Sequence, residues 1–322
     1  MRVTVRAPAR LHFGFIDLDG SLGRMFGSIG LAIDEPRIIL EATPSNRLSV
    51  SGDESGRAEA LARRFLRHYR LPHRAHISIK ETIPAHIGLG SGTQLALSVA
   101  AALARLFTIK AGVRELATVM GRGARSGIGV SAFEGGGFIV DAGRRISAAS
   151  SSSGPGSLPP TIARHAFPED WTFVVAIPHV HRGLAGNAES RAFRQITARP
   201  ARGSARLSRI LLIQMLPALV ERDPAAFGRS LTSIQRIVGN WFRTVQGGTF
   251  ATPQGATLAK AMAGAGALGV GQSSWGPTVY GMAADQEQAN ALEQQIRRAI
   301  SGNIAATIFA VRGYNRGAEI LS

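Results

Sequence analysis

The stretch PAHIGLGSGTQLALSVAAAL, residues 84–103, places a glycine-rich turn directly ahead of an alanine-rich apolar run that predicts a helix. The turn and the start of the run hold five small residues: Gly88, Gly90, Ser91, Gly92 and Thr93. The first turn of a helix presents unpaired N–H donors and a partial positive charge, which together attract anions. The segment therefore predicts an anion site at a helix start, where the two hydroxyls can hold phosphate oxygens or Mg²⁺.

This loop differs from two common phosphate-binding loops. It lacks the GK[ST] ending of a Walker A loop, and no lysine stands near it to reach terminal phosphates. It also lacks the acidic residue that follows a dinucleotide-binding GxGxxG loop about 20 positions on. Ordinary turn or cap chemistry is the structural alternative. The strand pattern of Ala75–Ile83 before the loop and the helix pattern of Thr93–Phe107 after it favour the anion site.

The composition is that of a globular protein. The chain has 322 residues, enough for two domains, with 45% hydrophobic and 18% charged residues. The absence of cysteine excludes disulfides, thiolate zinc sites and cysteine nucleophiles. No apolar run approaches the roughly 20 residues that cross a bilayer, and the first residues, MRVTVRAPARLHFGF, have a strand pattern rather than that of a signal peptide. We therefore expect no membrane association and a cytoplasmic location.

The formal net charge is +16, and only three of the 37 basic residues are lysines. Nucleic-acid binding surfaces interleave basic clusters with stacking aromatic residues. Here the aromatic content is only 6% and the arginines are scattered along the chain, so we expect no nucleic-acid partner. An arginine-biased genome explains much of the excess, and a smaller share is expected to steer anionic substrates.

Strand and helix patterns alternate along the chain, which predicts an α+β protein. The first part has strand patterns at Arg37–Thr43 and Ala75–Ile83 around the helix pattern of Arg57–Tyr69. The second part has helix patterns at about 204–221, 224–243, 253–265 and 285–300, with strand patterns at 171–177, 278–283 and 305–311. The low-complexity stretch Ser147–Pro160 reads as a mobile loop or a linker. We therefore predict two domains, 1–150 and 151–322.

The pattern P-x-x-x-G-L-G-S-G, residues 84–92, resembles the central phosphate-binding motif of the GHMP kinase superfamily. Further segments resemble the β-ribofuranosylaminobenzene 5′-phosphate synthase branch of that superfamily: Ala7–Ile33, Ser126–Gly143, Gly183–Phe193, Met215–Gly228 and Gly269–Gly281. The similarity covers nearly the whole chain. It implies an S5-like N-terminal domain and a ferredoxin-like C-terminal domain. Where the kinases carry a C-terminal loop that is mostly glycine, this chain has GVGQSSWGPTVYG.

The resemblance implies that phosphoribosyl pyrophosphate reacts with 4-aminobenzoate or 4-hydroxybenzoate in methanopterin biosynthesis. Pyrophosphate and CO2 leave, and a C–C bond forms between ribose and ring, with Mg²⁺ as cofactor. The implied partners are these small molecules and a second copy of the chain, since homodimers are the commonest oligomers. An ATP-dependent small-molecule kinase of the same fold and a non-catalytic anion-binding protein are the two alternatives.

The resemblance also assigns roles to residues. The loop Gly88–Thr93 would hold the pyrophosphate. Gly135 and Gly136 of the second glycine segment, a predicted loop at Ser126–Gly137, would line the ribose phosphate. Asp17 would stabilise the cationic sugar or bind Mg²⁺, for which Ser91 is the other predicted ligand, and Arg24 would grip a carboxylate or phosphate. The aromatic substrate would meet the four consecutive side chains Gln272, Ser273, Ser274 and Trp275.

Each of these assignments has a structural alternative. Loop charges such as Asp17 and Arg24 are often only solvated. The second glycine segment can be a tight turn system beside a strand, and Trp275 can anchor the core between the domains. We interpret His12 as a packed histidine. The pair His179 and His181 lacks a third nearby metal ligand and is interpreted as ordinary loop residues.

Overall fold

The computed structural model of the chain describes residues 1–146, 158–180, 186–197 and 203–322. Its strands are β1 (Val3–Asp17), β2 (Arg24–Pro44), β3 (Ser49–Ser51), β4 (Ala75–Glu81), β5 (Phe138–Asp141), β6 (Arg144–Arg145), β7 (Thr161–His165), β8 (Thr172–Pro178), β9 (Gly269–Gln272), β10 (Val279–Ala283), β11 (Ala306–Arg312) and β12 (Glu319–Leu321). Its helices are α1 (Ser55–His68), α2 (Ser91–Leu106), α3 (Val113–Val119), α4 (Ile128–Gly135), α5 (Gly186–Thr197), α6 (Ser204–Ile210), α7 (Leu216–Val220), α8 (Pro224–Gln246), α9 (Pro253–Gly264) and α10 (Gln286–Ile300), with a π-helical turn at Leu211–Met215. None of the helices in these ranges is long and apolar enough to cross a membrane.

The first sheet is built on the long antiparallel pair β1 and β2. One edge of β2 lies against β1 along its length, and the other edge pairs with β4 in one half and with β5 and β6 in the other. Alternate residues of β1, beginning with Val3, Val5 and Ala7, are buried because side chains of a strand point to opposite faces in turn. This buried face lies against α2.

Helix α2 is the central helix of the first sheet. Its sequence is apolar on all sides, and twelve of its sixteen residues are buried, as expected for a helix enclosed by other elements. It packs on β1 and β2 from one side and on α1, α3 and α4 from the other. The start of α2 is therefore held in a fixed position by the sheet.

The second sheet is antiparallel in the order β11-β8-β10-β9. With helices between β8 and β9 and between β10 and β11, this is the ferredoxin-like arrangement that the resemblance implies. One face of the sheet packs on α9 and α10. The other face joins the core of the first sheet, where Phe13 of β1 lies 5.9 Å from Phe173 and 5.4 Å from Tyr280, measured between ring centres.

Two short strands cross between the predicted domains. Strand β7 pairs with β5, and β12 pairs with β1, so both extend the first sheet although they lie after residue 150. The predicted boundary at residue 150 lies outside the described residues, as does most of the predicted linker Ser147–Pro160. The second glycine segment is also different from its prediction as a loop, because residues 128–135 form helix α4.

Candidate functional site

The glycine-rich turn leads into α2 as its sequence predicts. Gly90 is the residue before the helix and has a φ of 86°, in the left-handed region that glycine adopts without strain. Within the described part of the chain no side chain caps this helix start, and its first turn holds no acidic residue. The N–H groups of Ser91 and Gly92 at the first two helical positions, where no intrahelical acceptor exists, are therefore oriented to bind an anion.

Three arginines from separate parts of the chain surround this helix start. A Cβ atom added to Gly90 would lie 3.1 Å from Cγ of Arg10. A Cβ atom added to Gly92 would lie 3.1 Å from Nη2 of Arg57 and 3.5 Å from Nη1 of Arg122. We call residues 90–93 together with these three arginines the α2 cradle.

The α2 cradle carries a surplus of positive charge. Arg57 contacts one carboxylate, since its Nη1 lies 2.7 Å from Oε2 of Glu54. The pKa of Arg122 is lowered, first by burial and then by the neighbouring charges of Arg57 and Arg64. Packing cations this closely is unfavourable unless an anion offsets their repulsion. The cradle thus has the electrostatics of a site for a multiply charged anion.

The turn that follows β9 is bonded directly to the glycine loop. The Ser273 hydroxyl donates to the carbonyl of Gly88 at 2.7 Å and accepts the backbone N–H of His12 at 3.0 Å. A Cβ atom at Gly88 would lie only 2.3 Å from the carbonyl oxygen of Ser273, so glycine is needed there for the two backbones to meet. Ser273 is fully buried and joins the two predicted substrate segments.

The Gln272 side chain holds the same turn together. Its Oε1 accepts the N–H of Ala251 at 2.6 Å, and its Nε2 donates to the carbonyl of Ser274 at 3.0 Å. Its backbone N–H in turn donates to Oε1 of Gln235 at 3.0 Å. The structure therefore places all four predicted residues of this segment beside the glycine loop, with the polar groups of Gln272 and Ser273 bonded within the protein.

Trp275 is packed among aromatic rings. Its ring stands edge-to-face on Phe193 and on Phe242, with centres 5.2 and 4.6 Å apart. The residue is only 6% exposed. These contacts are those of a core residue, and stacking of this indole on a substrate ring stays a prediction.

His12 lies between the Ser273 turn and the segment before α4. It is 3% exposed, and its Nε2 lies 3.1 Å from the Ser126 hydroxyl. Burial, with a contribution from the charge of Arg10, lowers the pKa of His12 to about 3. The imidazole is therefore neutral at physiological pH and acts through hydrogen bonds rather than charge.

Asp17 and Arg24 lie together at the far end of the β1–β2 pair, beside a cavity of about 530 Å³. Arg24 donates from Nε to the carbonyl of Ala142 and from Nη2 to that of Gly143, each at 2.8 Å. Asp17 accepts the Ser204 hydroxyl at 3.1 Å. Two of the five N–H donors of Arg24 thus hold the turn after β5.

The structure does not bring Asp17 and Ser91 together. Arg10 contacts the glycine loop, and Asp17 stands seven residues further along β1, which is roughly 20 Å of strand. These two predicted Mg²⁺ positions cannot ligate one ion. The described ranges also hold no group of three or more His, Cys, Asp or Glu side chains arranged to bind a metal.

Asp141 is a buried carboxyl group that the sequence analysis missed. Its two oxygens accept the N–H groups of Gly127 and Gly143, each at 2.8 Å. Burial raises its pKa to about 6, partly offset by these hydrogen bonds. Asp141 lines the same cavity as Asp17 and Arg24. Its position at the end of the apolar strand FIVD was the signal available in the sequence.

The remaining predicted residues lie apart from the α2 cradle or pack within it. A Cβ atom on Gly136 would overlap the carbonyl of Arg316 at 2.2 Å, and one on Gly135 would lie 2.9 Å from Arg164, so both glycines are closely packed. Their role in lining the ribose phosphate stays a prediction. Thr93 of the cradle packs against Gly129 of α4. His179 lies 2.9 Å from the Thr307 hydroxyl, and His181 is outside the described residues.

Comparison with known proteins agrees with this architecture. The family described as GHMP kinases N terminal domain matches residues 57–137, and GHMP kinases C terminal matches residues 215–302. Beta-ribofuranosylphenol 5'-phosphate synthase of Methanothermobacter thermautotrophicus is 37% identical, covering 100% of this chain and 99% of its own. The protein of the same name from Archaeoglobus fulgidus is 35% identical, covering 98% of each chain.

Solved structures of kinases have the same fold. Homoserine kinase from Cytophaga hutchinsonii superposes with a TM-score of 0.68 at 19% identity, covering 99% of this chain and 97% of its own. Mevalonate kinase from L. major has a TM-score of 0.66 at 15% identity, covering 96% and 95%. At this level of identity the similarity extends to the fold alone.

Proposed function

Because the chain belongs to the family of beta-ribofuranosylphenol 5'-phosphate synthases, which has the GHMP kinase fold, we propose that it transfers a ribosyl 5-phosphate group from phosphoribosyl pyrophosphate to a 4-substituted benzoate. The observation that carries the proposal is the full-length similarity to two synthases of a ribofuranosyl phosphate product. A pentosyltransferase of this kind must hold a pyrophosphate leaving group. The α2 cradle supplies uncapped N–H groups and guanidinium groups suited to that task.

The reaction breaks one bond of the sugar and one bond of the ring, and it joins the two carbon atoms by a new C–C bond. The C–O bond to pyrophosphate breaks and its electron pair leaves with the pyrophosphate, which creates a ribosyl cation. The ring carbon that bears the carboxylate attacks this cation and forms the C–C bond. The C–C bond to the carboxylate then breaks, CO2 leaves, and the electron pair returns to the ring. Arg57 and Arg122 would stabilise the negative charge that develops on the leaving group.

Mg²⁺ fits this site only as an ion that the substrate brings with it. Mg²⁺ is commonly held by substrate phosphates, waters and one or two protein oxygens, and the described residues hold no ready-made cluster of ligands. The Ser91 hydroxyl at the first position of α2 is the group that would reach such an ion. When bound, Mg²⁺ would neutralise charge on the pyrophosphate.

The acceptor is proposed to be 4-hydroxybenzoate or 4-aminobenzoate. The relatives' name describes a phenol product, which 4-hydroxybenzoate would give. We further propose a place in methanopterin biosynthesis, a cytoplasmic location and a homodimer. Roles of Asp17 in sugar stabilisation and of Arg24 in anion binding would require the substrate to extend to the cavity at the far end of β1.

Release of ¹⁴CO2 from carboxyl-labelled acceptors tests the proposal. We expect ¹⁴CO2 release from one or both benzoates only when phosphoribosyl pyrophosphate and Mg²⁺ are present. ATP should not replace phosphoribosyl pyrophosphate in this assay. Phosphorylation of a small alcohol by ATP without CO2 release would instead establish the kinase alternative.

Arg122→Ala tests the α2 cradle within that reaction. Loss of a charge-assisted contact is expected to cost about 2 kcal/mol, or roughly 30-fold in kcat/KM for phosphoribosyl pyrophosphate. The matched control is Arg63→Ala on the exposed face of α1, where the guanidinium pairs with Glu59, and it should stay within about twofold of the wild type. Equal rates in all three proteins would remove Arg122 from the site.

A further inference from the structure

A small cavity lies between β1, α8 and the turn after β9, next to the glycine loop. Its volume is about 20 Å³, enough for one water-sized group. The residues that line it include three aromatic rings and three polar side chains: Phe15, Phe242, Trp275, His12, Gln246 and Ser274. We call this cavity the aromatic recess.

Three polar atoms of the aromatic recess are buried without a hydrogen-bond partner among the described residues. They are Nδ1 of His12, Oε1 of Gln246 and Nε1 of Trp275. Leaving one buried polar group unsatisfied costs roughly 1–3 kcal/mol. Three such atoms around one cavity therefore indicate a polar group that enters it.

The hydrogen-bonding character of the recess is defined by neighbouring contacts. The Gln246 Nε2 donates to the carbonyl of Gly248 at 3.0 Å, which leaves Oε1 of Gln246 as a pure acceptor. The Trp275 Nε1 is a pure donor. The neutral His12 accepts or donates at Nδ1 according to its tautomer. The recess thus complements a small neutral group that both donates and accepts hydrogen bonds, such as a hydroxyl or a primary amine.

The surroundings of the recess suit an aromatic carrier of that group. Phe15, Phe242 and Trp275 form apolar walls, and Ser274 and His12 connect the recess to the glycine loop through Ser273. We propose that the aromatic recess binds the para hydroxyl or amino group of the benzoate acceptor, an inference that rests on the proposed function. Because the para substituent and the carboxylate lie at opposite ends of the ring, anchoring the substituent in the recess would direct the carboxylate away from it.

If the recess binds the para substituent, the affinity for a benzoate should depend on that substituent, and this can be measured without catalysis. 4-Hydroxybenzoate and 4-methylbenzoate have similar size and the same carboxylate, but only the first can hydrogen-bond in the recess. We expect calorimetric titration of the wild type to give about tenfold tighter binding of 4-hydroxybenzoate. Because both ligands are measured on the same protein, their affinity ratio does not depend on the folded fraction.

Two variants should remove this discrimination. Gln246→Leu deletes the acceptor and Trp275→Phe deletes the donor, and each should reduce the affinity ratio to about twofold or threefold. The matched control is Gln295→Leu on the exposed side of α10, which should keep the tenfold ratio.

The outcomes separate this inference from the proposed function. An unchanged ratio in both variants, or a wild type that binds the two benzoates equally, would mean that the recess holds only a water molecule and would overturn the inference, whatever the ¹⁴CO2 assay shows. A tenfold ratio in the wild type that both variants abolish, in a protein that releases no CO2 from the benzoates when phosphoribosyl pyrophosphate is present, would support the recess and overturn the proposed reaction.

Discussion

Gly90 is the residue on which the start of α2 depends. Its φ of 86° is one that side chains with a Cβ atom adopt only with strain, and an added Cβ would also lie 3.1 Å from Arg10. Both effects disturb the α2 cradle, the first through the direction of the helix start and the second through the position of a guanidinium group.

Gly90→Ala is expected to reduce activity in a protein that remains folded. The left-handed backbone should cost about 1–2 kcal/mol of unfolding free energy, while kcat/KM for phosphoribosyl pyrophosphate should fall at least about tenfold as the anion site is displaced. The matched control is Gly266→Ala. Gly266 has a φ of 87°, and no atom of the described residues lies within 4 Å of an added Cβ. This control should lose similar stability in urea unfolding and keep normal kinetics. Normal kinetics in Gly90→Ala as well would make this glycine purely structural.

The sequence predicted the parts of the site that are contiguous in the chain. The glycine loop and the segment 272–275 could be recognised because each is a short run with unusual composition, and the fold brings them into contact. Arg10, Arg57 and Arg122 come from three separate parts of the chain, and in an arginine-rich chain none of them stands out. Their convergence depends on tertiary structure, which no local pattern records.

At the scale of elements, Asp141 connects the end of β5 to the start of α4. Its carboxyl accepts the N–H of Gly127 before α4 and the N–H of Gly143 in the turn after β5. Arg24 donates to carbonyls of that same turn. The stability of this junction therefore depends on the protonation state of one buried carboxyl group.

Stability should fall with rising pH because of Asp141. Its pKa is raised from the ordinary 3.8 to about 6 in the folded chain, so the folded state retains a proton that the unfolded state has lost. The contribution of Asp141 to the free energy of unfolding is full below about pH 4 and is lost as pH rises through about 6. Urea unfolding from pH 4 to 7 should show the wild-type advantage over Asp141→Asn shrinking by about 2–3 kcal/mol.

Asp19→Asn is the control for this pH dependence. Asp19 is exposed, and hydrogen bonds from Ser21 lower its pKa, so any contribution it makes has the opposite sign. A wild-type advantage over Asp141→Asn that stays constant or grows with pH would show that Asp141 is ionised throughout in the folded chain.

Helices and strands were predicted well where hydrophobic periodicity was strong. Elements that form through contacts with distant parts of the chain were missed. Helices α1, α2, α9 and α10 match the predicted segments within a few residues. Helix α4 was predicted as a loop because of its glycines, yet Gly129 allows this helix to approach Thr93 of α2 closely. Strands β7 and β12 form only because a distant strand offers an edge.

The two sheets share one core. Phe13 of β1 packs against Phe138 in the first sheet and against Phe173 and Tyr280 in the second. The chain also returns to the first sheet at its C-terminal end through β12. The two domain types could be inferred from the order of elements. That they share a core depends on which faces of the two sheets pack together, which the order of elements does not show.

We therefore expect the protein to unfold in a single cooperative transition. All three tryptophans, Trp171, Trp241 and Trp275, lie in the second half of the chain, so their fluorescence follows that half together with its contact to β1. Hydrogen exchange of the amides of β4 follows the first sheet. Both signals should have the same urea midpoint, because the shared core cannot lose its contacts with one sheet and keep those with the other.

Phe13→Ala should move both midpoints together. Removing this buried ring is expected to cost about 3–5 kcal/mol, and the loss acts on both sheets because the ring contacts each of them. Leu22→Ala, at a side chain that is 89% exposed, is the control and should leave both midpoints unchanged. If Phe13→Ala lowered the protection of β4 while the fluorescence midpoint stayed in place, the two sheets would be independent units. The α2 cradle and the turn that contacts it would then be held together only by their own hydrogen bonds, so activity would be lost before either half unfolds.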